Sequence, residues 1–531
     1  MHTSLRLATA AGTLAAAALA HAAPPKVLFS NIASSPTSDV PGTALKFKNS
    51  GSGGSGDFAR LFTSGNASRY VFTAVAVGDL DVLVTGFGDT AVGAVTRVKE
   101  GDPTPAGGTY SFIRDIVGIS DDGSYAFSAD TTLASGVDEI LVRATDAGAS
   151  ELVAQEGTAA VGQAPGVGFG SVINSVHIDD NNFVRFRTTG LTGSTTQQVL
   201  YTYFGSGSFN IVAQTDNAAY TPGGQLVGPA QTIDNFASDR FVSDASGNYY
   251  AWVGDLNGDP TTDLVMVLNG SVIAQEGFPL PGTTGPNVLG FVGDAGSQQI
   301  TAGFFVYRGT FNDGTGAANQ TDFVRVDNFF AITTTELGQT GDPVPGAPGE
   351  FWSDDAPNGF GTTFFLNDVN ITGDTILGGT TSGPAASNGV VVFRDQFQTF
   401  VVLREGDGVD VDGNGIADDD AFINTFGNDD AVLTDTDNLF VVVTLRNGAG
   451  TAFAQAIITL PIEAPAECGT PDFDGDGDEG TDADIEAFFI VIGGGDCPTG
   501  TCASIDFDND GDEGTDADIE AFFRVIAGGP C

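Results

Sequence analysis

Repetition constrains this chain more than any other feature. One phrase, an apolar run, a short polar turn and a second apolar run, recurs throughout its first 460 residues. It reads Ile119-Ser120-Asp121-Asp122-Gly123-Ser124-Tyr125-Ala126-Phe127, then Ile178-Asp179-Asp180-Asn181-Asn182-Phe183-Val184, then Val242-Ser243-Asp244-Ala245-Ser246-Gly247-Asn248-Tyr249-Tyr250-Ala251-Trp252. More diverged copies start at Val369 and Leu433. A second phrase alternates with it: Glu100-Gly101-Asp102, Glu156-Gly157, Glu276-Gly277, Gly341-Asp342 and Glu405-Gly406-Asp407. With Gln214-Thr215-Asp216 and Gln339-Thr340-Gly341-Asp342 filling the longer gaps, the period is about 60 residues. A unit of that size suits one small sheet of short strands. Such a sheet cannot bury both faces alone, so neighbours must stack. The expectation is an all-β, β-propeller-like repeat body of six or seven blades. The Glu-Gly-Asp phrase itself reads as turn chemistry, Gly supplying positive φ and Asp bonding its own backbone.

Residue usage agrees with this reading. Runs such as Tyr70-Val71-Phe72-Thr73-Ala74-Val75 and Leu439-Phe440-Val441-Val442-Val443 are β-branched and aromatic, and Gly, Asn and Asp punctuate them. Hydrophobic residues make up 41% and Phe alone counts 40, too many for a disordered chain. No amphipathic helical pattern occurs before residue 480.

The first 22 residues read as an export signal. His2 and Arg6 precede the small apolar run Leu7 to Ala20, and Ala20-His21-Ala22 fits the small-x-small cleavage rule. That run is shorter than the ~20 apolar residues of a membrane-spanning helix, and no later segment qualifies, so no membrane span is expected. The expected divisions are a signal peptide at 1–22, the repeat body at 23–463 and a separate module at 464–531. The net charge of −49 repels nucleic acid and anionic membranes and favours divalent cations. A secreted or cell-surface location follows.

The end of the chain is written twice. Asp472-Phe473-Asp474-Gly475-Asp476-Gly477-Asp478-Glu479-Gly480-Thr481-Asp482-Ala483-Asp484 returns 34 residues on, from Asp506 to Asp518. A hard cation wants several oxygens from alternating side chains on a tightly curved loop, which is the chemistry of calcium. Asp472, Asp474 and Asp476 take positions 1, 3 and 5, Gly477 permits the bend, and Asp478 offers its carbonyl. Asp484 is the expected closing carboxylate. The loop is one residue longer than a twelve-residue calcium loop, which makes Asp482 a rival for that role. Asp506, Asp508, Asp510, Asp512 and Asp518 repeat the set. Thr481 is a helix N-cap paired with Asp484 three residues on, and Ile485, Phe488, Phe489 and Ile492 fall on one helical face. In the body, Asp410, Asp412, Asn414 and Asp418 show the same spacing and form a further candidate calcium loop. Asp255-Leu256-Asn257-Gly258-Asp259, with Asp263, is a weaker one.

All four cysteines, Cys468, Cys497, Cys502 and Cys531, obey the same shift of 34. In an exported chain an even, clustered set forms disulfides. The repeat favours Cys468–Cys497 with Cys502–Cys531, and a clasp of Cys468 to Cys531 is the rival. Past residue 22 a single histidine remains, His177. With no Gly-x-Ser-x-Gly elbow and no phosphate-cradling Gly-x-x-x-x-Gly-Lys, serine hydrolase and nucleotide chemistry lack their parts. Glycoside hydrolysis needs only two carboxylates. It stands as the enzyme alternative, for which a carboxylate pair and exposed Trp252 or Trp352 are the expected marks. The favoured reading is a non-catalytic surface or binding protein, for which a shallow face or a plugged channel is the expected mark.

On these phrases the body resembles bacterial secreted tandem-repeat proteins of the choice-of-anchor NxxGxxxF type, over residues 90–460, a likeness that implies fold and no chemistry. Residues 468–531 resemble the cysteine-bearing GC-type dockerin-like domain of exported bacterial proteins. That resemblance implies calcium-dependent docking to a cohesin-like or cell-surface protein. A polysaccharide is the candidate ligand of the body.

Overall fold

The structure, a computed structural model, describes residues 23–50, 57–66, 68–194, 198–216, 232–279, 288–292, 299–301, 303–312, 320–328, 333–353, 363–462, 469–507 and 513–526. The expected signal peptide, 1–22, lies outside them. The chain divides into two units, Met1–Pro461 and Ile462–Cys531.

In the first unit the described strands form seven antiparallel sheets. They span 58–99, 110–155, 172–214, 233–275, 288–339, 364–404 and 422–461. Six have four strands, and the fifth gains a short extra one, Gln299–Thr301. The last sheet reaches four only because Lys26–Ser30 pairs antiparallel with Ala452–Pro461. Consecutive sheets touch, chiefly through the first strand of each, and the seventh returns to the first. The body is therefore a seven-bladed β-propeller, closed by its own N-terminal strand. The inner strand is Phe58–Thr63 in blade 1, Tyr110–Ile119 in blade 2, Val172–Ile178 in blade 3 and Phe422–Leu433 in blade 7.

The core lies between blades, not within them. Val71 and Leu83 of blade 1 pack on Ile113, Phe127 and Ile140 of blade 2. Leu200 of blade 3 packs on Phe236 and Trp252 of blade 4, and Phe440 and Ile457 of blade 7 pack on Tyr70 and Phe72 of blade 1. Both faces of each middle strand are thus buried, so these strands read as unbroken apolar runs instead of alternating ones.

The two sequence phrases take fixed places. Glu-Gly-Asp follows the outermost strand and hands the chain to the next blade. Gly101 N–H donates to Tyr110 O at 2.9 Å, and Tyr110 N–H returns to Asp102 O at 3.0 Å. Gly406 and Asp407 make the same pair with Ile423, and Gly341 and Asp342 with Trp352. Gly101 has φ +90° and Gly406 φ +99°, the left-handed region that excludes most side chains. The Asp-rich phrase turns the chain from the first strand to the second. A third regularity is carried by no one letter of the sequence. An acceptor at the start of the third strand takes the backbone N–H of the next blade: Asp81 from Ile113, Glu139 from Ile173, Gln198 from Phe236, Asp322 from Thr363 and Gln455 from Phe58.

The second unit holds two helices, α1 (Asp482–Ile492) and α2 (Asp516–Ile526). Phe473, Phe488, Phe507 and Phe522 fill its core, with the Phe488 and Phe522 rings stacked 4.1 Å apart. The two repeats exchange one hydrogen bond each, Ala503 N–H to Phe473 O and Gly469 N–H to Phe507 O. These are the same bond displaced by one repeat.

Candidate metal centre

In the first tail loop Asp472, Asp474 and Asp476 bring one carboxylate oxygen each within 4.8 Å of the others. The curvature that does this comes from Gly475 and Gly477, at φ +72° and +95°. Asp472 Oδ2 accepts Gly477 N–H, Asp474 Oδ1 accepts Asp476 N–H, and Asp476 Oδ1 accepts Asp478 N–H. Asp472 Oδ1 is buried with no hydrogen-bond partner. A buried carboxylate oxygen left bare costs free energy unless a cation or donor meets it. Burial first, then the charges of Asp476, Asp484 and Asp472 against one bond from the Asp476 amide, hold the Asp474 carboxyl above its usual range. Asp478, at position 7, is exposed.

Asp484 is fully buried at the start of α1. Its Oδ1 accepts Asp474 N–H, and its Oδ2 accepts both the backbone N–H and the hydroxyl of Thr481. Burial alone would raise its pKa, yet these bonds outweigh it and hold the carboxyl below the usual range. Asp484 thus clasps the loop to the helix, while its rival Asp482 is exposed. In the second repeat Asp518 repeats the clasp, accepting from Phe507 N–H and from Thr515. Asp506 is described, and Asp508, Asp510 and Asp512 lie outside the described residues.

The favoured cysteine pairing is overturned. Cys497 bonds to Cys502, with Cα atoms 5.6 Å apart. Gly500 at φ +81° turns the four residues between them, which makes this local link shorter to form than either repeat-related one. Cys468 and Cys531 lie outside the described residues. Within that turn Thr499 donates its hydroxyl to Asp474 O at 2.5 Å, so the disulfide steadies the first loop.

The body loop differs from its expected form in one ligand. Asp410, Asp412 and Asp419 are the carboxylates that converge. Asp419 Oδ2 accepts Val411 and Asp412 N–H, whereas Asp418 accepts from the Asn414 side chain at 3.4 Å. Asn414 Oδ1 accepts Ile416 N–H. Only the acidic run Asp418-Asp419-Asp420 hinted at Asp419, because the chain folds back on itself there and loop spacing no longer applies. Asp410 is buried, and its backbone pairs with Pro25 O and Val27 N–H beside the closing strand. In the weaker loop Asp259 is spent on a turn, accepting the amide and hydroxyl of Thr261.

The expected enzyme marks fall elsewhere. Trp252 and Trp352 are core residues, 1% and 2% exposed. His177, on the inner strand of blade 3, meets Phe62 on the inner strand of blade 1 with ring centroids 6.1 Å apart. Those blades are not neighbours, so the contact crosses the central opening. Burial first and Arg185 second push His177 down to about 4. At one mouth of the opening the Asp-rich turns are chained, Asn66 N–H to Asp121 and Asp121 N–H to Asp180.

No family model matches this chain, and no curated protein matches it. Solved structures similar to it include prolyl oligopeptidase B from Galerina marginata, at 10% identity and TM-score 0.32, over 74% of this chain and 47% of that one. The chain thus spans about half the length of that protein. The β-propeller domain of the Trilobed protease from Pyrococcus furiosus is similar at 10% identity and TM-score 0.32, over 65% of this chain and 94% of that one. A Penicillium chrysogenum alpha-L-arabinanase is similar at 11% identity and TM-score 0.28, over 64% and 92%.

Proposed function

We propose that this is an exported, non-catalytic surface or binding protein. Its propeller presents a ligand-binding surface, with a polysaccharide as candidate ligand. Its duplicated tail takes up calcium and docks to a cohesin-like or cell-surface protein partner. The observation that carries the reading is the convergence of Asp472, Asp474 and Asp476 around a buried, partnerless Asp472 oxygen. Calcium there would be held by these three carboxylates and the Asp478 carbonyl, with Asp506, Asp508, Asp510 and Asp512 as the second set and Asp410, Asp412 and Asp419 as a third. The ion supplies positive charge that lets the carboxylates sit together. The binding reading over the glycosidase one is supported by the buried tryptophans and by the Phe62–His177 contact across the opening.

Calorimetric titration of calcium into the full chain, with circular dichroism alongside, tests this. The expected result is uptake with a gain of helix. In a variant carrying Asp472→Asn, Asp474→Asn, Asp506→Asn and Asp508→Asn, the tail sites and the helix gain should vanish. Unchanged uptake in that variant, or none in the native chain, would sink the proposal.

A further inference from the structure

The turn closed by Cys497–Cys502 leans on three consecutive residues of the first tail loop. Ala503 N–H, just past the disulfide, donates to Phe473 O at 2.9 Å. The Thr499 hydroxyl donates to Asp474 O at 2.5 Å. Thr501 walls off Gly475, where an added Cβ would stand 3.1 Å from Thr501 O. Asp474, the middle carboxylate of the converging three, is therefore positioned by a residue inside the disulfide ring. Little else orders that ring. Among the described residues, no helix or strand covers 493–507, and the backbone within the ring closes through Gly500 N–H to Cys497 O at 3.1 Å. Asp496, Pro498, Thr499, Gly500 and Thr501 are exposed, so a reductant in solution can reach the bond.

We propose that Cys497–Cys502 is a site of reversible reduction that sets the calcium affinity of the first loop, an inference that rests on the calcium reading above. The co-reactant is a dithiol. Its thiolate attacks one sulfur of the pair, and the other sulfur leaves as a thiolate and takes up a proton. The dithiol's second thiol then closes on the mixed disulfide and releases the first sulfur as a thiol. Two electrons and two protons pass from the dithiol to the cysteines. Once open, the turn regains the conformational freedom that the link removed. Thr499 is also drawn away. Its hydroxyl has one proton to give, and Cys497 Sγ stands 3.4 Å from it. In the disulfide that sulfur is a weak acceptor, whereas as a thiolate it competes with Asp474 O. A loop loosened at 473–475 must order those residues again before it can hold an ion, so calcium binds more weakly. Linkage makes the effect mutual: calcium in the loop protects the disulfide from reduction by the same factor.

Equilibrating the full chain in mixtures of reduced and oxidised dithiothreitol tests this. Calcium uptake at the first loop is followed by nuclear magnetic resonance of Gly477, and thiols at Cys497 and Cys502 are counted by alkylation and mass spectrometry. Opening the pair should weaken uptake at the first loop on the order of tenfold, within the usual range of coupling between two sites. Calcium should raise by the same factor the ratio of reduced to oxidised dithiol needed for half-reduction. Cys497→Ser with Cys502→Ser, which leaves the other two cysteines in place, should show the weak binding before any reductant is added. Thr499→Val keeps the disulfide and should lose part of the affinity. Equal uptake by oxidised and reduced chains, or native affinity in the double serine variant, would overturn the inference and leave the calcium reading standing. No uptake by the oxidised chain would overturn both. If the double variant does not fold, the dithiol series on the native chain and the Thr499→Val affinity decide it.

Discussion

At the scale of the residue, the tail's acidic groups divide their labour by burial. Asp472, Asp474 and Asp476 gather charge, and Asp484 spends its oxygens on backbone donors. Asp484→Ala removes the reciprocal cap of α1 and the tie to Asp474. A lost cap alone costs about 1 kcal/mol, and the orphaned amides add to it. Asp482→Ala changes an exposed group and should stay within about 0.5 kcal/mol. Paired calcium titrations and thermal melts of the two variants should separate clearly, with Asp484→Ala binding more weakly and melting lower. Equal behaviour would mean that Asp484 is not the carboxylate that ties the loop to the helix.

At the scale of the element, the two loop–helix repeats share a core that neither owns. Phe488 stacks on Phe522, and each touches Phe473 or Phe507 of either repeat. Phe488→Ala should therefore cost about 3–5 kcal/mol and loosen both loops together. Calcium uptake that weakened in one repeat alone, followed by nuclear magnetic resonance of Gly477 and Gly511, would contradict this. This is also the scale at which the sequence was most and least readable. Short phrases recurring about every 60 residues announce the blades because each phrase fills a turn that recurs once per sheet. The seam acceptors Asp81, Glu139, Gln198, Asp322 and Gln455 carry no such mark, because Asp, Glu and Gln perform the same act there and no one letter recurs at every seam. Asp419 escaped because a loop folded back on itself breaks its own spacing. The Cys497–Cys502 link escaped because the symmetry of the repeat pointed to partners 29 residues apart, whereas a turn containing Gly500 brought nearer ones together.

At the scale of the whole molecule, the propeller depends on a strand from the other end of the chain. Lys26–Ser30 completes blade 7, and Asn31 binds Gln455 and Asp57 in a buried polar knot where blade 7 meets blade 1. Deleting residues 23–31 should open the ring. Limited proteolysis is expected to cut first near the blade 7–blade 1 seam, and the melting temperature should fall by several degrees. A deletion variant as resistant as the native chain would show that six blades and three strands suffice.

That closing strand also decides how the propeller meets a pull. Tension arriving from the second unit enters along Ala452–Pro461. This strand is gripped on both edges, by Lys26–Ser30 on one side and Asn438–Arg446 on the other. A strand drawn lengthwise out of such a grip must shear two ladders at once, while a strand at an open edge peels away one rung at a time. The pairing that lets the N-terminal strand complete blade 7 thus gives the tail a firm footing in the ring.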